Sequence, residues 1–273
     1  MIAIMLVRRG NAPPRILPRS PWFVNLPPLV RRIGTARRLT ALVALALASV
    51  ASTAQASNPY LEAPPFAQVK TTPAYEHANL DGEAAIAELS HRGVPFVRVA
   101  EDTRGVRTPV RLTGPLHGVS VHSALPEKQR KDSPYEILDA RLALALDDFC
   151  ALLAEHDVVE VVHYTMYRPP PKSVDAPQFR HPGALAIDAA IFKKKDGTTL
   201  NVNSDWPSAV GAKTCGSGAR VPGSAHGKEL SAIVCEASRR RIFTYMLTPH
   251  FDAHHADHLH LEVKPGVRWF LVN

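Results

Sequence analysis

The stretch HLHLEV, residues 258–263, decides how this chain is read. It alternates strictly, with His258, His260 and Glu262 on one face of a strand and Leu259, Leu261 and Val263 on the other. A strand that turns its leucines and valine to a core presents both imidazoles to the opposite side, about 7 Å apart. Counted from His254, the ten residues to Val263 hold four histidines and two carboxylates. Two readings are open here. Either the strand shows solvent a row of histidines, or one imidazole binds a metal while the other faces bound water.

A second segment bears on the choice. In RHPGALAIDAAIF (180–192), His181 precedes a strand and Asp188 breaks the apolar run from Ala184 to Phe192. A carboxylate in a buried strand is costly without a cation beside it. An arginine is one candidate and a metal is the other. His181, Asp188 and one C-terminal histidine make a set of two imidazoles and a carboxylate. Three protein ligands with an open fourth position is the catalytic zinc arrangement.

Further out, the elements are mixed. Residues 82–90 predict a short helix, and 94–100, 107–114 and 118–124 predict strands, after an irregular lead-in over 57–80. Ser133-Pro134-Tyr135-Glu136 reads as a capping box that opens a helix over 133–156. The β-branched run 158–167 predicts a strand ending at Tyr167-Arg168, stopped by Pro169-Pro170-Pro171. Residues 184–192 predict a strand and 227–247 a second helix. No regular βαβ rhythm is present. The expectation is an α+β fold, a compact single domain with a mainly antiparallel sheet and flanking helices.

The net charge of +7 invites a nucleic-acid reading, but its location removes it. Residues 1–56 hold eight arginines and no Asp or Glu, and without them 24 basic residues face 25 acidic ones. No nucleic-acid partner is expected. Arg31, Arg32, Arg37 and Arg38, then the apolar run Leu39 to Val50, then Ala54-Gln55-Ala56, have the order of an export signal with cleavage before Ser57. Residues 1–30 precede that signal and read as an over-long gene start. An uncleaved membrane anchor is the alternative. After cleavage no membrane span is expected, and the mature chain is exported to a periplasmic or extracellular space. The organisation is then a leader over 1–56, a lead-in over 57–91 and a domain over 92–273. In an oxidising compartment Cys215 and Cys235, flanking a Gly/Ser-rich loop, are the natural disulfide pair, and Cys150 reads as a buried thiol.

His181, Asp188, Asp257-x-x-His260 and His258-x-His260 resemble the zinc peptidases that cut bacterial cell-wall peptides. These are the D-alanyl-D-alanine carboxypeptidases and dipeptidases and the lysostaphin-like murein endopeptidases. More closely, GVRTPVRLTGPLHGV (105–119), RLALAL (141–146), HYTMYR (163–168) and HADHLHLE (255–262) resemble the bacterial extensin-like C-terminal domain family, over roughly 92–263.

The resemblance implies a zinc D,D-peptidase-like fold with zinc held by His181, Asp188 and His260. It implies Arg168 as the group that meets a substrate carboxylate or an oxyanion. Two precedents for the general base overlap, one at Asp257 and one at His258 assisted by His255; strand alternation favours His258. The implied function is an exported zinc hydrolase of amide bonds in peptidoglycan peptides. The rival is a non-catalytic, zinc-stabilised wall-binding module. The chain departs from the wider pattern at Phe179, where a serine is usual, and at Ala184, where a glycine is usual. Glu262 replaces a frequent aspartate and receives no role.

Overall fold

A computed structural model describes residues 58–273 except 101, 102, 174 and 176. The expectations for the leader, the export signal and the cleavage point lie outside the described residues. The strands are β1 (Leu61–Glu62), β2 (Phe96–Arg98), β3 (Pro109–Leu112), β4 (Ser120–Ser123), β5 (Leu138–Asp139) and β6 (Val158–His163). They continue with β7 (Ala186–Lys194), β8 (Thr199–Asn201), β9 (Tyr245–Leu247), β10 (Leu259–Glu262) and β11 (Phe270–Val272). The helices are α1 (Phe66–Val69), α2 (Pro73–Asn79), α3 (Gly82–His91), α4 (Glu127–Arg130), α5 (Ala140–Glu155), α6 (Val202–Asp205) and α7 (Ala225–Arg239).

Among the described residues the main sheet runs β1-β11-β9-β10-β7-β6-β4, with β8 also on β7, and a small sheet runs β2-β3-β5. Only the β4–β6 and β9–β11 pairs are parallel. The fold is α+β with a mainly antiparallel sheet. Helix α5 is buried along nearly its whole length, the condition of a helix that is apolar all round. Its Phe149 meets Phe192 and Phe243 edge-on. Ile187 and Ala189 of β7 and Leu259 and Leu261 of β10 pack into the same core. Alternation then sends Asp188 and His260 to the other face of the sheet.

Four expectations need correction. The expected irregular lead-in over 57–80 is structured from residue 58 on: 58–80 hold β1, α1 and α2. Ala78 of α2 and Ala85, Ile86 and Leu89 of α3 enter the main core, so the folded unit starts before residue 92.

The helix expected over 133–156 starts at Ala140. Ser133 caps only a 3-10 turn, Pro134–Glu136, and Glu136 turns away to accept from Ser123 N and Oγ. Asp139 is the true N-cap. It accepts from Arg141 N, pairs with the buried Arg141 guanidinium at 2.7 and 3.0 Å, and accepts from Thr108 N.

The strand over 158–167 ends at His163, after a register shift between Val162 and His163. The chain then bulges, with Tyr164 N on the Asp188 carbonyl and Asp188 N on the Thr165 carbonyl, before Met166 N turns to the Tyr135 carbonyl and Arg168 N to the His181 carbonyl. The helix over 227–247 ends at Arg239. Arg241 takes φ 54°, and the bonds Arg241 N to Ser238 O and Ile242 N to Ala237 O close a Schellman cap. Cys215 and Cys235 form a disulfide, and Cys150 is a buried free thiol.

Candidate metal centre

The register of one strand pair builds the site. β10 runs antiparallel to β7 with His260 opposite Asp188. Directly opposed side chains on one face come within contact, and Nδ1 of His260 lies 3.1 Å from Oδ1 of Asp188. The same oxygen is 3.0 Å from His181 Nε2 and 3.4 Å from His258 Nε2. Three imidazoles thus converge on one carboxylate oxygen. The other oxygen, Oδ2, accepts from the Arg168 guanidinium at 2.5 Å.

His181 reaches this point from a tight turn. Arg180 and Ala184 both take φ 50°, and Gly183 N, Ala184 N and Leu185 N bond back to Phe179, His181 and Arg180 carbonyls. A Cβ on Gly183 would stand 2.5 Å from Phe179 N, so the turn needs glycine there. Ala184 adopts the left-handed conformation that the usual glycine takes without strain.

Each imidazole has its second nitrogen anchored. His181 Nδ1 meets the Met166 carbonyl at 3.1 Å, His258 Nδ1 meets Asp257 Oδ1 at 2.7 Å, and His260 Nε2 faces Glu262 Oε2 at 3.5 Å. With Asp188 ionised, the inner nitrogens of His181 and His260 donate to its Oδ1. A metal held there would take the other tautomer, in which the outer nitrogens donate to the Met166 carbonyl and Glu262. His255 is held by Asp252 at 2.7 Å, and its ring centre is 5.2 Å from that of His258 and 5.8 Å from that of His260. His254 is exposed at the mouth.

Burial pushes the Asp188 carboxyl up, but hydrogen bonds from His181 and His260, with the charge of His258 nearby, outweigh it and hold the group far below the usual carboxylate range. Burial lowers His260, while Asp188 and Glu262 raise it above an ordinary histidine. For His255, burial and the neighbouring His258 and His260 prevail over Asp252 and push it down.

His181, Asp188 and His260 are all buried, and one donor atom from each lies within 4.8 Å of the others. Two imidazole nitrogens and a carboxylate oxygen suit a divalent first-row ion such as zinc. The residues fit a metal: both histidines turn a ring nitrogen inward and have an acceptor behind the other one. A cleft of about 720 Å³ opens onto them, walled by Pro169, Pro170, Pro171 and Pro182.

All seven site residues expected from sequence meet here. His181, Asp188, His258 and His260 touch directly; Arg168 and Asp257 each join through one of them, and His255 stands beside two. Sequence reasoning passed over Glu262, which is 1 % exposed and has its Oε1 buried without a hydrogen-bond partner. Its place on the His260 face of the strand was the available signal. It also passed over the Met166 carbonyl, which no side-chain pattern can announce.

Residues 88–270 match the family described as Extensin-like protein C-terminus. No curated protein and no solved structure matches the chain.

Proposed function

The chain belongs to the extensin-like protein C-terminus family, and on that premise we propose that it is an exported zinc hydrolase cleaving amide bonds in peptidoglycan peptides. The observation that carries this reading is the convergence of His181, His258 and His260 on one oxygen of Asp188 at the floor of an open cleft. A structural salt bridge needs one cation. It does not need three imidazoles, each oriented from behind.

His181, Asp188 and His260 hold the metal. Zinc bound there supplies Lewis acidity and a water of lowered pKa. His258 is the general base: Asp257 accepts from its Nδ1–H, which turns Nε2 toward the site, 3.4 Å from Asp188 Oδ1. It takes a proton from the attacking water and returns it to the leaving amine. Asp257 positions that ring. Arg168 is exposed in the cleft, and its guanidinium, with His255 lining the same cleft, stabilises the negative charge that develops on the scissile carbonyl oxygen. Glu262 holds the tautomer of His260 that presents Nδ1.

Export accords with the Cys215–Cys235 disulfide. Among the described residues no helix is long and apolar enough to cross a membrane.

A second reading, a zinc-stabilised wall-binding module without catalysis, draws on one contact. Arg168 is already paired with Asp188 at 2.5 Å, which gives it a structural task. Digestion of purified sacculi followed by muropeptide analysis separates the two. New fragments from wild type, absent with His258→Ala, support the hydrolase. Sedimentation with sacculi and no new fragments rejects it.

A further inference from the structure

Beside the metal cleft, four separate segments bring five residues into a closed ring. Arg180, on the turn into β7, lines the cleft and lies with Cζ 5.9 Å over the Tyr245 ring. Tyr245, on β9, stands edge-on to Trp269 at 6.0 Å and to His260 at 6.3 Å. The Lys264 ammonium lies 5.8 Å over Trp269 and 5.6 Å over Phe179, which adjoins Arg180 in the chain. Phe179 is 43 % exposed, and Tyr245, Lys264 and Trp269 are half-buried. Nothing in the chemistry described above uses Phe179, Lys264 or Trp269.

We propose that this ring is a binding subsite for an acidic peptide, the arm of the substrate that extends out of the metal cleft. The faces of the three aromatic rings carry cations. They are therefore not bare platforms for a sugar, and what they present outward is positive charge held in place. Cation–π contact fixes two flexible side chains before any ligand arrives, which lowers the ordering cost of binding. Among the described residues no carboxylate lies within ion-pair distance of Lys264. Arg180 has only Glu262, at 3.9 Å, and that carboxyl is buried behind it. Both cations thus keep hydrogen-bonding capacity for carboxylates arriving from solvent. Since Arg180 borders the ligand His181, a peptide seated on the ring runs directly into the cleft. The inference rests on the hydrolase reading for what the peptide is there to undergo, but binding is measurable without it.

The experiment is fluorescence anisotropy with a dye-labelled tetrapeptide carrying two free carboxylates, its bis-amide, and an unlabelled N-acetylglucosamine tetramer as competitor. It uses the whole mature protein, both chelator-treated and zinc-loaded. The dicarboxylate is expected to bind roughly tenfold tighter than the bis-amide, as one charge-assisted contact implies, and to weaken with added salt. Lys264→Gln and Trp269→Ala should each remove most of that preference. Equal binding of the two peptides overturns the proposal. So does a preference that survives Lys264→Gln, or displacement of the peptide by the sugar at similar concentration, which would mark a glycan platform. If the chelated protein shows the preference yet zinc-loaded protein cleaves nothing, the hydrolase reading alone fails.

Discussion

Asp188 and His260 are partners across the antiparallel pair β7–β10, and the 3.1 Å contact between Oδ1 and Nδ1 follows from that register. A slip of one residue would set a leucine, Leu259 or Leu261, against Asp188 and turn His260 into the core. The buried apolar face of β10 and the site on its other face are therefore enforced by the same pairing. Burying Leu259, Leu261 and Val263 holds His260 in place.

Metal content follows from this geometry. Purified wild type should carry about one zinc per chain, matching three ligands and one open position. His181→Ala and His260→Ala should each lose it, read by elemental analysis after gel filtration. A wild-type protein that takes up no zinc from a metal-supplemented buffer contradicts the site.

Glu262→Ala should separate affinity from stability. The carboxyl orients His260 from behind, so zinc affinity measured by chelator competition should fall about 10- to 100-fold. The metal-free protein should change melting temperature little, because removing the unpartnered Oε1 offsets the loss of the contact between Oε2 and His260. A drop in apo stability with unchanged affinity would assign Glu262 a purely structural part.

His258→Ala should keep zinc and lose hydrolysis by roughly 10²- to 10⁴-fold, the range for a positioned base. Asp257→Asn should cost less, since it disturbs only the orientation and tautomer of His258. Full activity in His258→Ala would move the base elsewhere.

Glu136 predicts an acid transition away from the site. Burial raises its carboxyl, but His163 and Ser123 outweigh burial and bring it from 4.5 to about 2. His163 is itself pushed down by complete burial. A carboxyl that is more acidic folded than unfolded stabilises the fold fully above pH 4.5. That contribution drains away as pH falls through about 2. Discounted for solvent screening of the partly exposed carboxyl, the contribution is on the order of 2 kcal/mol. Denaturant titrations at pH 6 and pH 3 should show the larger part of this loss in wild type, and Glu136→Gln should flatten it.

The Cys215–Cys235 disulfide joins residues 20 apart. Closing such a loop contributes about 3 kcal/mol through the unfolded state. Reduction should lower the melting temperature, and Cys150, being fully buried, should resist alkylation until the protein unfolds.

Much of this molecule is legible in one dimension because it depends on local pattern. Strict alternation at 258–263 placed His260 opposite its leucines, and the lone carboxylate at 188 in an apolar run announced that a cation must be near. Mixed elements without a βαβ rhythm indicated the α+β class, and the Gly/Ser-rich loop flanked by Cys215 and Cys235 indicated their bond. Ser133 and Glu136 misled, because two local partners lost to nonlocal ones. Glu136 is bound by Ser123, and Asp139, anchored by Thr108 and Arg141, caps the helix instead. The short elements over 57–80 were illegible since their few apolar residues find their partners on distant strands and helices. By itself the sequence determined which side chains share a face and which residues need a partner. Only the tertiary structure decided which partner each receives: that Asp188 faces three histidines, that Glu262 backs His260, and that Lys264 sits over rings from two other segments. The physical reason is range. A strand or helix period is set by backbone geometry within a few residues, whereas these contacts depend on strand register and turn shape between segments dozens of residues apart.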